Sequence, residues 1–501
     1  MLAFTAPVLD WHALAPEVVL VAVISLMIVV DVVQLDRARA IISSLAGLGL
    51  LSALVPLLTL ATSDDKVRVL FGGAYVVDTT SLILKALFLV AGYIVILLST
   101  NYVAEGDYWE SEYYTLLLCS ILGMTVMASA RDLISIFVAL ELLSIPAYML
   151  AGWRKRDPKS NEAGLKYYLM GVFASAVLLY GMSLLYGWSG STLLSAIGDS
   201  IAKKNSPAVT LGVVFVIIGF AFKVSAVPFH SWAPDTYEGA PTPVTAFLAV
   251  ASKAAGFVAM IQVVNHAFTA TAGDLWKVTT PVFFVLAALS MTIGNLIALR
   301  QTNIVRMLAY SGIAQAGFML APFTVLQREA VADRIVPSVV TYLVIYAAMN
   351  LGAFAVVIAI ARKTRSAEIT SFGGMFHYAP GLTVVMTIFL ASLVGIPPLG
   401  GWYAKFSISM VLINSNSWWG YGLAVIVAVN TAIAAFYYLN VAKTMWFDDA
   451  PDGDVTPVKV APSVVTALVI TTAATLLFGI LPSLLSDAAA HVPAVAAAVG
   501  H

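Results

Sequence analysis

The chain has 501 residues, of which 60% are hydrophobic and only 11% charged, with a mean hydropathy of +0.93. A water-soluble domain carries about 25% charged residues, so this composition excludes a soluble enzyme or binding module and points to a polytopic membrane protein. The net charge of −1 leaves no basic face for nucleic acid, and the one cysteine, Cys119, excludes an internal disulfide, a cysteine zinc site and an iron–sulfur cluster held by this chain alone.

Only Asp10 and Glu17, and no Lys or Arg, precede or open the first apolar run, so a cleavable signal peptide is not expected. A membrane helix needs about 20 mostly apolar residues. By that criterion about fourteen spans are expected, near 17–35, 40–60, 78–99, 112–129, 131–152, 162–187, 208–227, 242–267, 278–299, 302–325, 335–361, 378–413, 418–446 and 462–483. The twelfth is too long for one straight helix and contains Pro397-Pro398 and Gly400-Gly401, so it is expected to be broken. The fold class is an all-α polytopic membrane protein.

Loop lysines and arginines set the orientation. With the N-terminus outside, the inner loops hold 13 basic residues and the outer loops 8, a bias that favours both termini outside. Five lysines then remain inside expected helices: Lys85, Lys166, Lys223, Lys253 and Lys405. An ionisable group at mid-membrane costs about 2.5–3.5 kcal/mol on insertion scales and usually marks a proton relay, ion path or counter-ion.

Glu141 sits mid-span in IFVALELLSIPAYMLAG, five residues before Pro146, which is expected to break the helix there and frees a backbone carbonyl about one turn back. Lys223 stands five residues before Pro228, with His230, Asp235 and Glu238 following. Lys253 is about eleven residues into its span, some 16 Å deep and beyond a lysine's snorkelling reach. Lys405 follows the Pro397-Pro398 segment, and discontinuous helices expose carbonyls that hold ions or water. Lys85 is shallow enough to snorkel, and Lys166 follows Glu162 by four residues, the spacing of an ordinary helical ion pair; these two are accessory candidates at best. His230 could relay protons between lysines or simply anchor its loop.

GLGLLS from Gly47 lies inside an apolar helix with no strand before it and is not a dinucleotide fingerprint. No Walker A loop, HExxH or nucleophile elbow is present, and no metal site is expected. Of six histidines only His266 falls within an expected span, which disfavours a bis-histidine haem.

The run PFHSWAPDTYEGAPTPVTAF (Pro228–Phe247), with FKVSAV before it and Lys253 after it, resembles the antiporter-like membrane subunits of respiratory complex I, relatives of the multisubunit cation/proton antiporters. LELLSIPAYMLAG around Glu141, EAGLKYYLMGVFASAVLLYG from Glu162, RMLAYSGIAQAGF from Arg306 and MNLGAFAVV from Met349 resemble the N-type branch of that family. The resemblance covers most of residues 112–446.

It implies two inverted five-helix repeats, at 112–267 and 278–446, with helices 1–3 before them (1–111), helix 14 and a tail after them (447–501), and breaks in helices 7 and 12. It implies that Glu141 and Lys223 are a coupled pair, Lys253 a central relay and Lys405 a terminal lysine, with Lys223 and Lys405 at related positions. It further implies proton translocation in a bacterial inner membrane. The partners implied are an M-type subunit, small membrane subunits and a peripheral redox arm carrying NADH, flavin, iron–sulfur clusters and quinone chemistry, with no cofactor on this chain. A subunit of a multisubunit Na⁺/H⁺ antiporter is the alternative. The chain departs from the pattern at Gln315, where relatives often have histidine, and at Ala404, where glycine is usual.

Overall fold

The computed structural model describes residues 9–485 apart from 34, 64–66, 105–109, 204–205 and 269–272. The tail with His491 and His501, the loop bases Lys66 and Lys204 and the side chains of Arg37 and Arg39 lie outside the described residues.

Helix dominates because in hydrocarbon every backbone N–H and C=O must find its partner within the segment. The chain opens with α1 (Ala15–Val33) and α2 (Leu35–Ala61), then α3 (Thr79–Ala104), α4 (Glu110–Ser129) and α5 (Leu133–Ala151). Next come α6 (Pro158–Ser189), a short α7 (Leu194–Lys203), α8 (Pro207–Lys223), α9 (Trp232–Gly239) and α10 (Thr242–Phe247). A π-helical turn over Leu248–Ser252 joins α10 to α11 (Lys253–His266). The second half holds α12 (Trp276–Ala298), α13 (Ile304–Leu320), α14 (Glu329–Thr364), α15 (Met375–Tyr378), α16 (Pro380–Val394), α17 (Gly400–Asn414), α18 (Trp418–Phe447) and α19 (Pro462–Ile480).

Among the described residues twelve helical stretches are long and apolar enough to cross a membrane. Two shorter apolar helices, α8 and α16, stand where the seventh and twelfth spans are expected. Two elements not foreseen are the short α7 and a small antiparallel hairpin between α2 and α3, in which β1 (Arg68–Leu70) pairs with β2 (Tyr75–Val77).

Polar caps start several helices. Asp132 accepts from the N–H groups of Ile134 and Ser135 at α5, Asp157 caps α6 and Asn303 caps α13, each satisfying donors that a helix start leaves open. The stretch Thr242–His266, α13 and α14 are enclosed by other helices, whereas α1, α6 and α18 turn exposed apolar side chains such as Val32, Phe173 and Phe436 outward.

Both breaks are built locally. α8 ends at Lys223, where Ser225 takes a left-handed φ of 60°, and helix resumes at Trp232. α16 ends at Gly395, whose φ of 96° suits glycine, and α17 restarts at Gly400. A Cβ on Gly401 would lie 1.8 Å from the Ser392 carbonyl oxygen, so only glycine lets the two halves close. Pro228, Pro397 and Pro398 lie in these non-helical joints. Pro146, expected as a break, does not interrupt α5. Hydroxyls bond two carbonyls of the preceding turns, Ser120 of α4 donating to Leu143 and Ser144 to Leu140, both at 2.5 Å, though neither reaches the Leu142 carbonyl that the proline leaves without its N–H.

Candidate functional site: a line of buried lysines

Lys223, Lys253 and Lys405 are 4%, 1% and 7% exposed, and each ammonium has found oxygen partners, as burial of a charge requires. The Nζ of Lys223 donates to Ser144 Oγ at 2.8 Å and to Tyr167 Oη at 3.3 Å. Tyr148 turns its ring toward the same ammonium, with its centroid 6.0 Å away. The Nζ of Lys253, directly after the π-helical turn, donates to the Gly312 carbonyl of α13 at 2.6 Å. The Nζ of Lys405 donates to the Leu393 and Val394 carbonyls at 3.1 and 2.8 Å, beside the Phe318 ring at 4.7 Å.

Lys223 and Lys405 lie on opposite sides of their breaks in sequence: Lys223 is the last residue of α8, and Lys405 stands in the second turn of α17. The expectation of related positions therefore fails residue for residue. The ammonium of Lys405 reaches back to the carbonyl end of α16, where the helix dipole favours a cation.

Polar side chains fill the interval between Lys253 and Lys405. Ser311 bonds Tyr438, whose hydroxyl also accepts from Gln315 Nε2 at 3.4 Å. Tyr342 donates to Gln315 Oε1, and Gln315 Nε2 donates to the Leu393 carbonyl at 3.3 Å, the same oxygen that Lys405 holds. Gln315 thus occupies the interval as a hydrogen-bonding link. Ala404 is fully buried beside Lys405.

Glu141 is half-buried in the middle of α5 and accepts from Ser175 Oγ of α6 at 2.6 Å. No direct ion pair joins it to Lys223. Ser144, one turn further along the same helix face, stands between them and holds the ammonium instead.

The accessory candidates fall elsewhere. Lys166 pairs with Glu162 at 2.6 Å and Asp235 at 2.8 Å, in a network that Arg306 closes by bonding Asp235 at 3.0 Å and Glu238 at 2.8 Å, with Lys159 on Glu238 at 3.0 Å. This network ties α6 and α9 to α13 at one end of the bundle. Burial pushes the carboxyl of Asp235 up, but hydrogen bonds from Lys166 and Arg306 outweigh it and hold the group below the usual carboxylate range.

Lys85 does not snorkel. It is fully buried, paired with Glu17 of α1 at 2.9 Å and donating to Tyr75 Oη at 3.0 Å. His230 is half-buried in the first break, and its Nδ1 has no partner. Sequence reasoning missed Ser144, Tyr167, Tyr342, Tyr438 and Glu17 as partners. For Ser144 and the tyrosines the signal was polar groups lying inside apolar spans, and for Glu17 an acid opening the first span.

Two broken helices with buried lysines beside them give the chain the architecture of an antiporter-like membrane protein. The family profile described as "NADH:quinone oxidoreductase/Mrp antiporter, TM" matches residues 130–432. The chain is 42% identical to NADH-quinone oxidoreductase subunit N of Moorella thermoacetica, over 83% of this chain and 85% of that one. Among solved structures, a chain of respiratory complex I from Thermus thermophilus is 30% identical, covers 95% of this chain and 99% of that one, and superposes with a TM-score of 0.79. A chain of the Mrp complex from Dietzia, 18% identical over 96% of this chain and 97% of that one, shares the fold with a TM-score of 0.83. The chain belongs to the NADH:quinone oxidoreductase/Mrp antiporter membrane family, in its subunit N branch.

Proposed function

We propose that the chain is a proton-translocating membrane subunit of an NADH-quinone oxidoreductase, and that Glu141, Lys223, Lys253 and Lys405 form its relay. The observation that carries the reading is the row of three buried ammonium groups, each held by hydroxyl or carbonyl oxygens, with Ser311, Tyr438 and Gln315 between the second and the third.

Burial penalises a lysine's charged form by several kcal/mol, and the negative charge of Glu141 offsets part of that penalty at Lys223. When the field of Glu141 weakens, the Lys223 N–H bond breaks, its proton moves toward Lys253, and Lys405 receives the charge at the far end. Raising one proton against 100 mV costs about 2.3 kcal/mol, which must come from redox chemistry in partner subunits. NADH, flavin, iron–sulfur clusters and quinone belong to those partners. The two repeats at 112–267 and 278–446, the inner membrane location and both termini outside are part of the same reading.

Glu141 supports the need for a partner. A carboxylate half-exposed at mid-membrane cannot face lipid at acceptable cost, so a neighbouring membrane subunit covers that face of α5 and α6. The second reading, a subunit of a Na⁺/H⁺ antiporter, is supported by the fold shared with the Mrp chain. Isolation of the native particle separates the two: flavin and iron–sulfur proteins co-purifying support the oxidoreductase, and their absence from an intact particle supports the antiporter. Within the particle, Glu141→Asp keeps the charge and is expected to retain most pumping, whereas Glu141→Ala removes it and is expected to stop pumping.

A further inference from the structure

An apolar groove of about 760 Å³ runs between the first turns of α16 and the length of α19, walled by Leu382, Val385, Val465, Leu468, Val469 and Leu476. Its α19 wall covers residues 465–476, about 17 Å at helical rise. That is close to half of a hydrocarbon core about 30 Å thick. On the other side the wall ends at Val385, although α16 continues to Val394. A partner's membrane helix would need the full thickness, so a groove one leaflet deep fits a lipid chain instead.

The mouth of the groove is polar. Tyr378 stands on its wall, is 4% exposed, and its hydroxyl has no hydrogen-bond partner. Such a buried orphan costs about 1–3 kcal/mol unless something meets it. The same corner is fixed by Lys363, whose Nζ lies 4.2 Å over the Tyr378 ring and donates to the Thr456 carbonyl at 2.6 Å. The Val458 N–H donates to the Tyr378 carbonyl at 3.4 Å. Residues 454–461 thus form a strap tied across the mouth.

At the end of that strap α19 begins. Ala461 is its cap and offers no side-chain bond, and Pro462 fills the first position, so no side chain serves the N–H groups of Ser463 and Val464. A helix start in that condition attracts an anion. Val460 lines both the groove and a polar cavity of about 470 Å³ on the other side of the strap. The cavity carries Arg154, Arg362, Arg365 and Lys459 against a single acid, Glu238. Glu238 is already engaged by Arg306 at 2.8 Å and Lys159 at 3.0 Å. Surplus positive charge therefore adjoins an apolar trough one leaflet deep, which matches the two halves of an amphiphile with an anionic head.

We propose that this place binds one phospholipid. Its phosphate sits over the start of α19 beside Lys459, an ester oxygen accepts from the Tyr378 hydroxyl, and an acyl chain lies along Val465, Leu468 and Val469. The site stands apart from the lysine relay and does not depend on it.

The test uses the assembled complex and phosphatidylglycerol carrying a photoactivatable diazirine on one acyl chain, with labelled peptides read by mass spectrometry. Residues 465–476 should take several times the label found on the exposed end of α1 around Val32, which has apolar surface but no such mouth. Val469→Trp, at a position 62% exposed, fills the groove without entering the core and should cut the α19 label about tenfold. A diacylglycerol probe with the same chains and no phosphate should label α19 about tenfold less, as loss of a charge-assisted hydrogen bond requires. Lys459→Glu should lower the phosphatidylglycerol label and leave the diacylglycerol label unchanged. Label spread evenly over α1 and α19, or an α19 label indifferent to Val469→Trp, overturns the site. No label on α19 at all means that a partner subunit fills the groove, which also overturns it. Equal labelling by the two probes overturns the assignment of the phosphate.

Discussion

Gln315 and Lys405 share one acceptor: the carbonyl oxygen of Leu393 takes a hydrogen bond from Gln315 Nε2 at 3.3 Å and from Lys405 Nζ at 3.1 Å. Gln315 also accepts from Tyr342 and donates to Tyr438, so the amide is fully engaged between three elements of the second half. Replacing it with leucine would leave the buried Tyr342 hydroxyl without its acceptor, a loss of about 1–3 kcal/mol. Gln315→Leu is expected to lower the unfolding temperature of the purified protein and to slow pumping more than Gln315→Asn does. Equal pumping in both variants would show that the amide is a structural filler only.

The Glu17–Lys85 pair makes a separate claim about stability. Both members are buried, and removing one strands the other charge in the core, at a cost of about 3–5 kcal/mol. Lys85→Met and Glu17→Leu are each expected to destabilise the protein markedly, while the double variant recovers most of the loss. Thermal unfolding in detergent reads this directly, and additive losses in the double variant would contradict it.

Acid should loosen the network around α9 in a defined direction. Asp235 and Glu238 both titrate below the usual carboxylate range: burial opposes this, and the bonds from Lys166, Arg306 and Lys159 prevail. A carboxyl depressed in the folded state stabilises it above the unfolded pKa of about 4, and that stabilisation is lost as pH falls through the folded value. Asp235→Asn should therefore lower the unfolding temperature at pH 7, with the gap to the unaltered protein closing below about pH 4. A gap that stays constant down to pH 3 would mean that the carboxylate's charge is not what holds the network.

Much of this arrangement is visible in the residue order. Composition and the apolar periodicity gave the membrane class and the spans, and Pro397-Pro398 with Gly400-Gly401 marked the second break because no helix of that length can pass two prolines and two glycines intact. Pro146 misled because a proline in a membrane helix removes one backbone hydrogen bond without having to end the helix, and α5 runs through it. Lys253 was recognisable by its depth and Lys405 by the broken segment before it. Lys85 was not, because its partner Glu17 lies 68 positions away and only packing of α1 against the rest brings the two together. Tyr167 looks like an ordinary span aromatic in sequence; its hydroxyl acquires meaning only from Lys223, which donates to it.

The central claim is that buried lysines carry protons, and Lys223 is where it is most exposed to test. Lys223→Ala in the assembled complex, with pumping followed in everted vesicles and assembly checked by electron transfer to an artificial acceptor at the redox arm, gives the most direct measurement. The account predicts an assembled complex whose pumping is abolished or sharply reduced. Normal pumping by the Lys223→Ala complex would contradict it.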